Sequence, residues 1–494
     1  MKEYICLAMN ENNSKTTIEY ADIVIIGAGI LGCFAARAFS AYDLKTIVLE
    51  KREDVCTMIS KANTGIVYAG YDMHPGSLKA ELTVKSNSEF EDLCKELGVP
   101  FYRCGSLMIS YGPKGDRSLE KKLEHGRQNG VPNLRLISGE EAQQVEPNLK
   151  KGITKALYAE TTGVVNPWEL GIAAFENARA NGVSFRFMEE VKSCESSDKG
   201  IILKTSFSSG QDNTEQTYIA RYVINCAGSE APAVRELMFP KTIGIHHTRA
   251  NYLVYEQGKE RTVSRVIFYE PEQKDKALTL APTLDRHLII GATESDSDDQ
   301  PTYATDREDL ERLLSFTRDI LPDMDASTLL NQFGSARPNP YLYDDPTAHL
   351  SDFNIAEDDR MISLIGIKTP GITCAYELGK VVAQKALEQI GAVKENSNYD
   401  PIRIPPEPFS VLRYNSAVDG PIICACNLVT ERMIRDAVKR GATTINGIRR
   451  RTSAGMGRCQ GAECEEAVLK ILADELGITV QEVTKDGKGS SIII

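Results

Sequence analysis

Asp22-Ile23-Val24-Ile25-Ile26-Gly27-Ala28-Gly29-Ile30-Leu31-Gly32 is the stretch on which the fold turns. Its apolar run, Ile23 to Ile26, is short and β-branched, as a strand buried on both faces should be. The pattern G-x-G-x-x-G follows at Gly27 to Gly32, and helical periodicity runs from Leu31 to Phe39. Strand, glycine turn and helix in that order are the setting in which this motif binds a dinucleotide. Glycine permits the tight turn and lets backbone amides at a helix N-terminus approach a pyrophosphate. A second strand, Thr46 to Leu49, ends at Glu50, whose carboxylate is positioned to accept hydrogen bonds from ribose hydroxyls. An ordinary glycine turn packing helix on strand is the bland alternative, and it leaves the acid in register unexplained.

Outward from this stretch, two further turns favour FAD over NAD. Asn225-Cys226-Ala227-Gly228 follows a buried strand, Tyr222 to Asn225. Gly366-Ile367-Lys368-Thr369-Pro370-Gly371-Ile372-Thr373 precedes a late helix predicted over about 373–390. Such a turn would aim a helix N-terminus at a flavin ring, where the dipole stabilises negative charge on the reduced ring. Further helices are predicted near 76–98, 169–180 and 305–321, and from the capping box Ser138-x-x-Glu141 to Glu146. Residues 189–220 read as a hairpin, and residues 250–293 alternate like antiparallel strands.

Nucleotide pieces thus fall at about 20–90, 150–235 and 355–395, with substrate pieces at about 91–149 and 236–354. The expected fold class is α/β (α+β): a Rossmann-like domain interleaved with an antiparallel-sheet domain, the site lying at their junction. Residues 1–19 and 481–494 read as tails, 396–419 as a proline-rich linker, and 420–480 as a small helical domain.

That small domain holds Cys424-x-Cys426 and, after 32 residues, Cys459-x-x-x-x-Cys464. Four thiolates at one point bind a 2Fe–2S cluster or a zinc ion, since soft sulfur suits both. The remaining cysteines of the twelve are scattered, which reads as free thiols in a reducing compartment. The apolar stretch Ile5 to Met9 is too short for a signal-peptide core, and no window has membrane-spanning length. A cytoplasmic protein is expected, docked at a membrane at most through a partner. The net charge of −12 argues against a general nucleic-acid binder and leaves room for a local basic pocket. Arg449-Arg450-Arg451 reads as a solvated helix face or a guide for an acidic electron-transfer partner.

Taken together, these motifs resemble the FAD-dependent oxidoreductases of the D-amino-acid oxidase superfamily. The residues that carry the resemblance are Asp22 to Lys51, Ser60 to Gly65, Ala69 to Asp72, Pro75 to Ala80, Asn225 to Gly228, Phe333 to Pro338 and Gly366 to Thr373. Within the superfamily the chain is most similar to anaerobic-type glycerol-3-phosphate dehydrogenases and L-2-hydroxyglutarate dehydrogenases. The resemblance implies FAD between a nucleotide and a substrate domain, with Ser60 and Asn63 near the flavin and Val191 near the adenine. The tail resembles bacterioferritin-associated ferredoxin-like domains, through Ile423 to Cys426, Val429 to Glu431 and Gly455 to Cys464. It implies a 2Fe–2S cluster on the four cysteines, and both parts together are similar to anaerobic glycerol-3-phosphate dehydrogenase catalytic subunits. One departure stands out: Tyr68 occupies a position where the family usually shows a histidine.

Oxidising a secondary alcohol needs a hydride acceptor and a base. Candidate bases are Tyr68, His74, His246 and His247. The last two are strand neighbours and point to opposite faces, so at most one serves, and His247 is the candidate. Tyrosine, with an unperturbed pKa near 10, is a poor base at neutral pH. Arg337 and Arg249 are candidate forks for a phosphate or carboxylate. Lys368 is a candidate for stabilising reduced-flavin charge. The family implies oxidation of a small anionic 2-hydroxy compound, foremost sn-glycerol 3-phosphate to dihydroxyacetone phosphate. Electrons would leave through the cluster to a partner flavoprotein or quinone-linked subunit. The alternatives are L-2-hydroxyglutarate or amino-acid oxidation, or a non-catalytic electron-transfer subunit.

Overall fold

Ile18–Ile26 lies at the centre of a parallel sheet, hydrogen-bonded to Thr46–Glu50 on one side and Glu215–Asn225 on the other. Ser184–Phe187 and Met361–Ile365 extend the sheet outward, also parallel. The computed structural model describes residues 18–207, 215–258, 261–270, 278–297, 301–348 and 350–493. The central strand begins before Asp22, because Ile18 to Ala21 pair with Thr217 to Ala220. Of the N-terminal tail expected over 1–19, residues 1–17 lie outside the described residues, and Ile18 and Glu19 belong to this strand.

Strand alternation sorts the central side chains into two cores. Ile23 and Ile25 pack with Phe34, Phe39, Leu170, Phe175 and Val382 from the helices Ile30–Phe39, Pro167–Ala180 and Gly371–Ile390. Val24 and Ile26 pack on the opposite face with Cys194, Ile201 and Leu203. Those three come from the meander Glu189–Ser197 and Gly200–Phe207, which joins the sheet through residues 215–220.

The second sheet has nine strands among the described residues. Its axis is the long antiparallel pair Ile243–Glu256 and Leu329–Leu342. Lys155–Ala159 belongs to it, by pairing with Ser106–Ser110, although its position in the chain falls among the nucleotide pieces. Conversely, the helix Leu78–Leu97 packs Phe90, Leu93 and Leu97 into the nucleotide-side core, carrying that part beyond residue 90. The helix Pro113–Gln128 has no counterpart in the sequence reading. Only Gly115, Leu119, Leu123 and Gly126 of it are buried, too thin a stripe to mark a helical period. No helix among the described residues is long and apolar enough to cross a membrane.

The small domain has its own core, built from Ile434, Ile448, Leu469 and Leu472. Residues expected to trail from it instead pack on it. Val483 is fully buried, and the carbonyls of Thr484 and Lys485 accept the Ile445 and Asn446 N–H groups at 3.1 and 3.0 Å. Those are unpaired donors at the start of the helix Ile445–Thr452, so the chain end caps it. The proline-rich segment is extended but pinned. Arg403 donates to Glu176 at 2.7 Å and to the Leu97 carbonyl at 2.9 Å.

Arg449-Arg450-Arg451 is not a solvated face. Arg450 and Arg451 close on Asp54, in the loop after the second parallel strand, at 2.8 and 2.6 Å. Their side chains are 3% and 0% exposed, and that of Asp54 is 1% exposed. Arg449 pairs with Glu465. Sequence periodicity sees a charged helix face; it cannot see that a second domain covers that face. Burial pushes the Asp54 carboxyl up, but Arg451 and Arg450 together hold it below its ordinary value. Its contribution to stability is therefore present above the ordinary carboxylate range and is lost as pH falls through the lowered value. Removing one partner of a buried ion pair costs about 3–5 kcal/mol. Asp54→Ala is expected to lower unfolding free energy by that order and to expose residues 396–419 to limited proteolysis. An unshifted denaturation midpoint with unchanged proteolysis would show that this contact does not hold the small domain.

Candidate active site

A cleft opens at the carboxyl ends of the parallel strands, between them and the second sheet, enclosing about 1180 Å³ with its open mouth included. Its nucleotide side begins at the fingerprint turn. Gly27 has φ +95°, and a Cβ there would stand 2.7 Å from the Cys226 carbonyl oxygen. A Cβ on Gly32 would stand 1.9 Å from the Gly27 oxygen. Only glycine lets the turn close and the helix start against it. Glu50 Oε2 accepts the Ala28 N–H at 2.7 Å, and Oε1 accepts the Arg52 N–H at 2.9 Å. Burial pushes the Glu50 carboxyl above its ordinary value, against the pull of these two amides. Ser60 Oγ accepts the Ile30 N–H at 3.0 Å, so the loop carrying Ser60 and Asn63 lies over the helix start.

Gly29, Ile30, Leu31, Ser60, Asn63, Gly228, Gly371 and Ile372 all line the cleft. The helix Gly371–Ile390 starts there with no side-chain cap; its Gly371 N–H is taken by the Lys368 carbonyl at 2.7 Å, and the amides that follow in the first turn can serve an electronegative ring edge. Val191 packs in the same core as Ile26, Leu49 and Ala227, near the strand ends. Lys51 is paired with Glu230 across those ends. Thr373 and Gly366, two further expected cofactor residues, hold the backbone around the cleft. Thr373 is fully buried, its hydroxyl accepting the Tyr68 N–H at 3.1 Å, so it ties the helix to the strand Ile66–Val67. Gly366 has φ +65° and packs against Pro340, serving the turn rather than the cleft. An uncapped helix start, a glycine turn without room for side chains and an acid beside it fit a bound dinucleotide.

Tyr68, Tyr252, Arg337 and Lys368 line the substrate side. Arg337 and Thr248 are register partners, as are Asn339 and His246. These residues share one face of the strand pair with Tyr252. His247, Arg249 and Asn251 fall on the other face. Arg249 there approaches Asp306 and Asp309, each at 3.6 Å, and His247 is buried. His247 and Arg249 are therefore removed from the site, because strand alternation turns them toward the helix Arg307–Ile320. No described histidine lines the cleft, and His74 lies in an exposed turn bonded to its neighbour Pro75.

A hydrogen-bond chain backs the cleft. Lys368 Nζ donates to Asn339 Oδ1 at 2.6 Å, Asn339 Nδ2 to Thr248 Oγ1 at 2.9 Å, and the Thr248 hydroxyl to Glu294 Oε1 at 3.0 Å. Burial, then the Arg337 charge, lowers the Lys368 pKa. Burial pushes the Tyr68 phenol up to about 12. Tyr252 and Asn339 were missed in the sequence. Their signal was the two-residue period from Arg337 along its strand and across to its partner.

In the small domain the cysteines stand as facing pairs. Cys426 and Cys459 Sγ atoms are 3.6 Å apart, close to the roughly 3.8 Å expected of two thiolates bound tetrahedrally at about 2.3 Å. Cys464 faces Cys424, and burial and that neighbour push its thiol up to about 11. Amides of Glu463 and Gly461, with Cys426, lower the Cys459 pKa. Among the described residues no three His, Cys, Asp or Glu side chains converge to hold a single metal ion. Four thiols in two facing pairs, with amide donors beside them, fit a 2Fe–2S cluster, which these four residues would hold. A Cβ on Gly457 would stand 2.4 Å from Cys426 Cβ, so glycine is required for this approach.

Residues 22–385 match the family model of the FAD dependent oxidoreductases, and residues 422–474 match the BFD-like [2Fe-2S] binding domain. A glycerol 3-phosphate dehydrogenase of Caloramator mitchellensis is 34% identical over 96% of this chain and 98% of its own length. Subunit A1 of the anaerobic glycerol-3-phosphate dehydrogenase of Haloferax volcanii is 24% identical over 92% of this chain and 83% of its own. The FAD-bound L-α-glycerophosphate oxidase of Mycoplasma pneumoniae superposes with a TM-score of 0.71, at 22% identity, covering 79% of this chain and all of that one. The chain belongs to the FAD dependent oxidoreductase family, with FAD and a 2Fe–2S cluster as its cofactors.

Proposed function

We propose that this chain oxidises a small anionic 2-hydroxy compound, sn-glycerol 3-phosphate to dihydroxyacetone phosphate, and passes the electrons through its cluster to a partner. The observation that carries the reading is the charge of the cleft: Arg337, a permanent cation, lines it, and no acidic side chain does among the described residues. In a chain of net charge −12 this local positive charge favours an anionic ligand. The 34% identical relative is a glycerol 3-phosphate dehydrogenase, which supports the choice of anion.

The residues divide the work. Arg337 offers a planar fork to a phosphate or carboxylate. Gly29, Ile30, Ser60 and the start of the helix Gly371–Ile390 would hold the FAD, which when bound supplies the acceptor for a hydride. Tyr68 and Tyr252 wall the cleft with aromatic rings stacked on Phe268 and Phe333. Cys424, Cys426, Cys459 and Cys464 would hold the cluster, which carries one electron at a time. Gln460, beside Cys459, accepts a hydrogen bond from Asn331 at 3.1 Å. Asn331 lies on the strand Leu329–Leu342 that also bears Arg337, so the cluster domain touches the sheet that forms the cleft. The electron acceptor is a flavoprotein or quinone-linked partner.

Anaerobic mixing with glycerol 3-phosphate is expected to bleach the flavin band. Bleaching by L-2-hydroxyglutarate or an amino acid instead would reassign the substrate, and reduction only by a partner protein would make the chain an electron-transfer subunit. Arg337→Ala removes two charge-assisted hydrogen bonds, about 3 kcal/mol in sum, so KM should rise on the order of 100-fold. An unchanged KM would take Arg337 out of the site. Cys464→Ser is expected to lose iron by metal analysis and to slow electron delivery to an external acceptor, while substrate still bleaches the flavin. Full iron content in that variant would exclude Cys464 as a ligand.

A further inference from the structure

We propose that Lys368 is the base that takes the hydroxyl proton of the substrate, the part usually expected of a histidine at the position of Tyr68. This rests on the alcohol-oxidising reading above and deepens it.

The titratable residues lining the cleft are Tyr68, Cys226, Tyr252, Arg337 and Lys368. Burial pushes Tyr68 and Cys226 each up to about 12, and raises Tyr252 as well. A group that must first lose a proton at such a value offers almost no free base near neutrality. Guanidinium groups do not give up a proton in proteins. Lysine is the one member of the set displaced toward neutrality, by burial first and Arg337 second.

Geometry supports the same assignment. Lys368 sits in the turn between the strand Met361–Ile365 and the helix Gly371–Ile390, whose start lines the cleft beside it. One amine hydrogen is spent on Asn339 Oδ1; the Asn339 amide donates in turn to Thr248, whose hydroxyl donates to Glu294. In a neutral amine a second hydrogen and a lone pair remain for the cleft. The charged or titratable groups around it are Arg337 from one strand, Tyr252 from its neighbour, Tyr68 after the strand Ile66–Val67, and Lys79 from the helix Leu78–Leu97. Lys79 and Lys368 repel, and Lys79 is tied to the Ser351 carbonyl at 2.7 Å.

The step balances. The O–H bond breaks and its proton goes to Lys368 Nζ, giving the ammonium. The C–H bond breaks and its hydrogen leaves with the electron pair to the FAD, the oxidant. The C=O bond forms, and the ammonium later returns its proton to solvent at the cleft mouth.

The test is anaerobic rapid mixing of the holoenzyme with glycerol 3-phosphate, comparing wild type, Lys368→Ala and Lys368→Arg across pH. Loss of a general base should cut the limiting bleaching rate by about 10²–10⁴-fold. Wild type should show an acid limb that Lys368→Ala lacks, and added methylamine should restore part of the rate in Lys368→Ala. Lys368→Arg places a permanent cation there that cannot accept a proton, so its limiting bleaching rate at saturating glycerol 3-phosphate should stay slow. A rate in Lys368→Arg within about threefold of wild type would overturn the assignment. So would an acid limb that persists in Lys368→Ala. If wild type bleaches only with L-2-hydroxyglutarate, the substrate reading fails and the same variants test Lys368 with that donor. No bleaching by either donor sinks both readings.

Discussion

A hydrogen bond from the Ala28 amide to Glu50, 2.7 Å long, holds the nucleotide end of the molecule in one conformation. The glycine turn around it has no slack, since Gly27 and Gly32 leave no room for a side chain. With the turn fixed, the helix Ile30–Phe39 starts at one point, and Ser60 can reach its first amide at 3.0 Å. Residues 51–60 therefore hang between two anchors. The same loop carries Asp54, on which Arg450 and Arg451 close. Lys61, just past the second anchor, meets Asp486 of the chain end at 3.5 Å. One short segment thus serves both the cofactor cleft and the dock of the cluster domain. The loop cannot shift for one without disturbing the other.

Charge is sorted by the strand pair that faces the cleft. Residues alternate across a strand, so one face carries Tyr252, Arg337 and Asn339, while the other carries Arg249 and Asn251. Asp306 and Asp309 lie against that second face and neutralise Arg249. Arg337 approaches Glu294 no closer than 3.9 Å and remains available to a ligand in the cleft. Two arginines of the same sheet, both well suited to an anion, are thus assigned opposite roles by direction alone. Burial then separates the titratable groups of the cleft. It disfavours the charged form of each, raising the phenols and lowering the lysine.

Much of the fold and cofactor site was legible in the residues because the signals are local. The fingerprint, its strand and Glu50 lie within 30 residues of one another, and their spacing carries their geometry. The four cysteines were legible for the same reason, as close pairs in a short domain. Arg450 and Arg451 were misread because a charged helix face looks the same whether water or another domain covers it. The hydroxyl of Thr373 serves the contact between helix and strand, a role that its place inside a cofactor motif does not print. The choice between His246 and His247 needed the register of a strand 14 residues long against its partner, which no local pattern prints.

By itself the sequence determined the dinucleotide turn, the sulfur set and the interleaving of two sheets, since each follows from short-range spacing and side-chain chemistry. Only the tertiary structure decided which cations face the cleft, that the chain end caps a helix, and that the cluster domain is clamped through Asp54. Those outcomes depend on partners well beyond any local window, Asp54 and Arg451 the farthest apart. Contact between such groups is set by how whole sheets and helices pack, and packing is a property of the assembled core rather than of any segment in it.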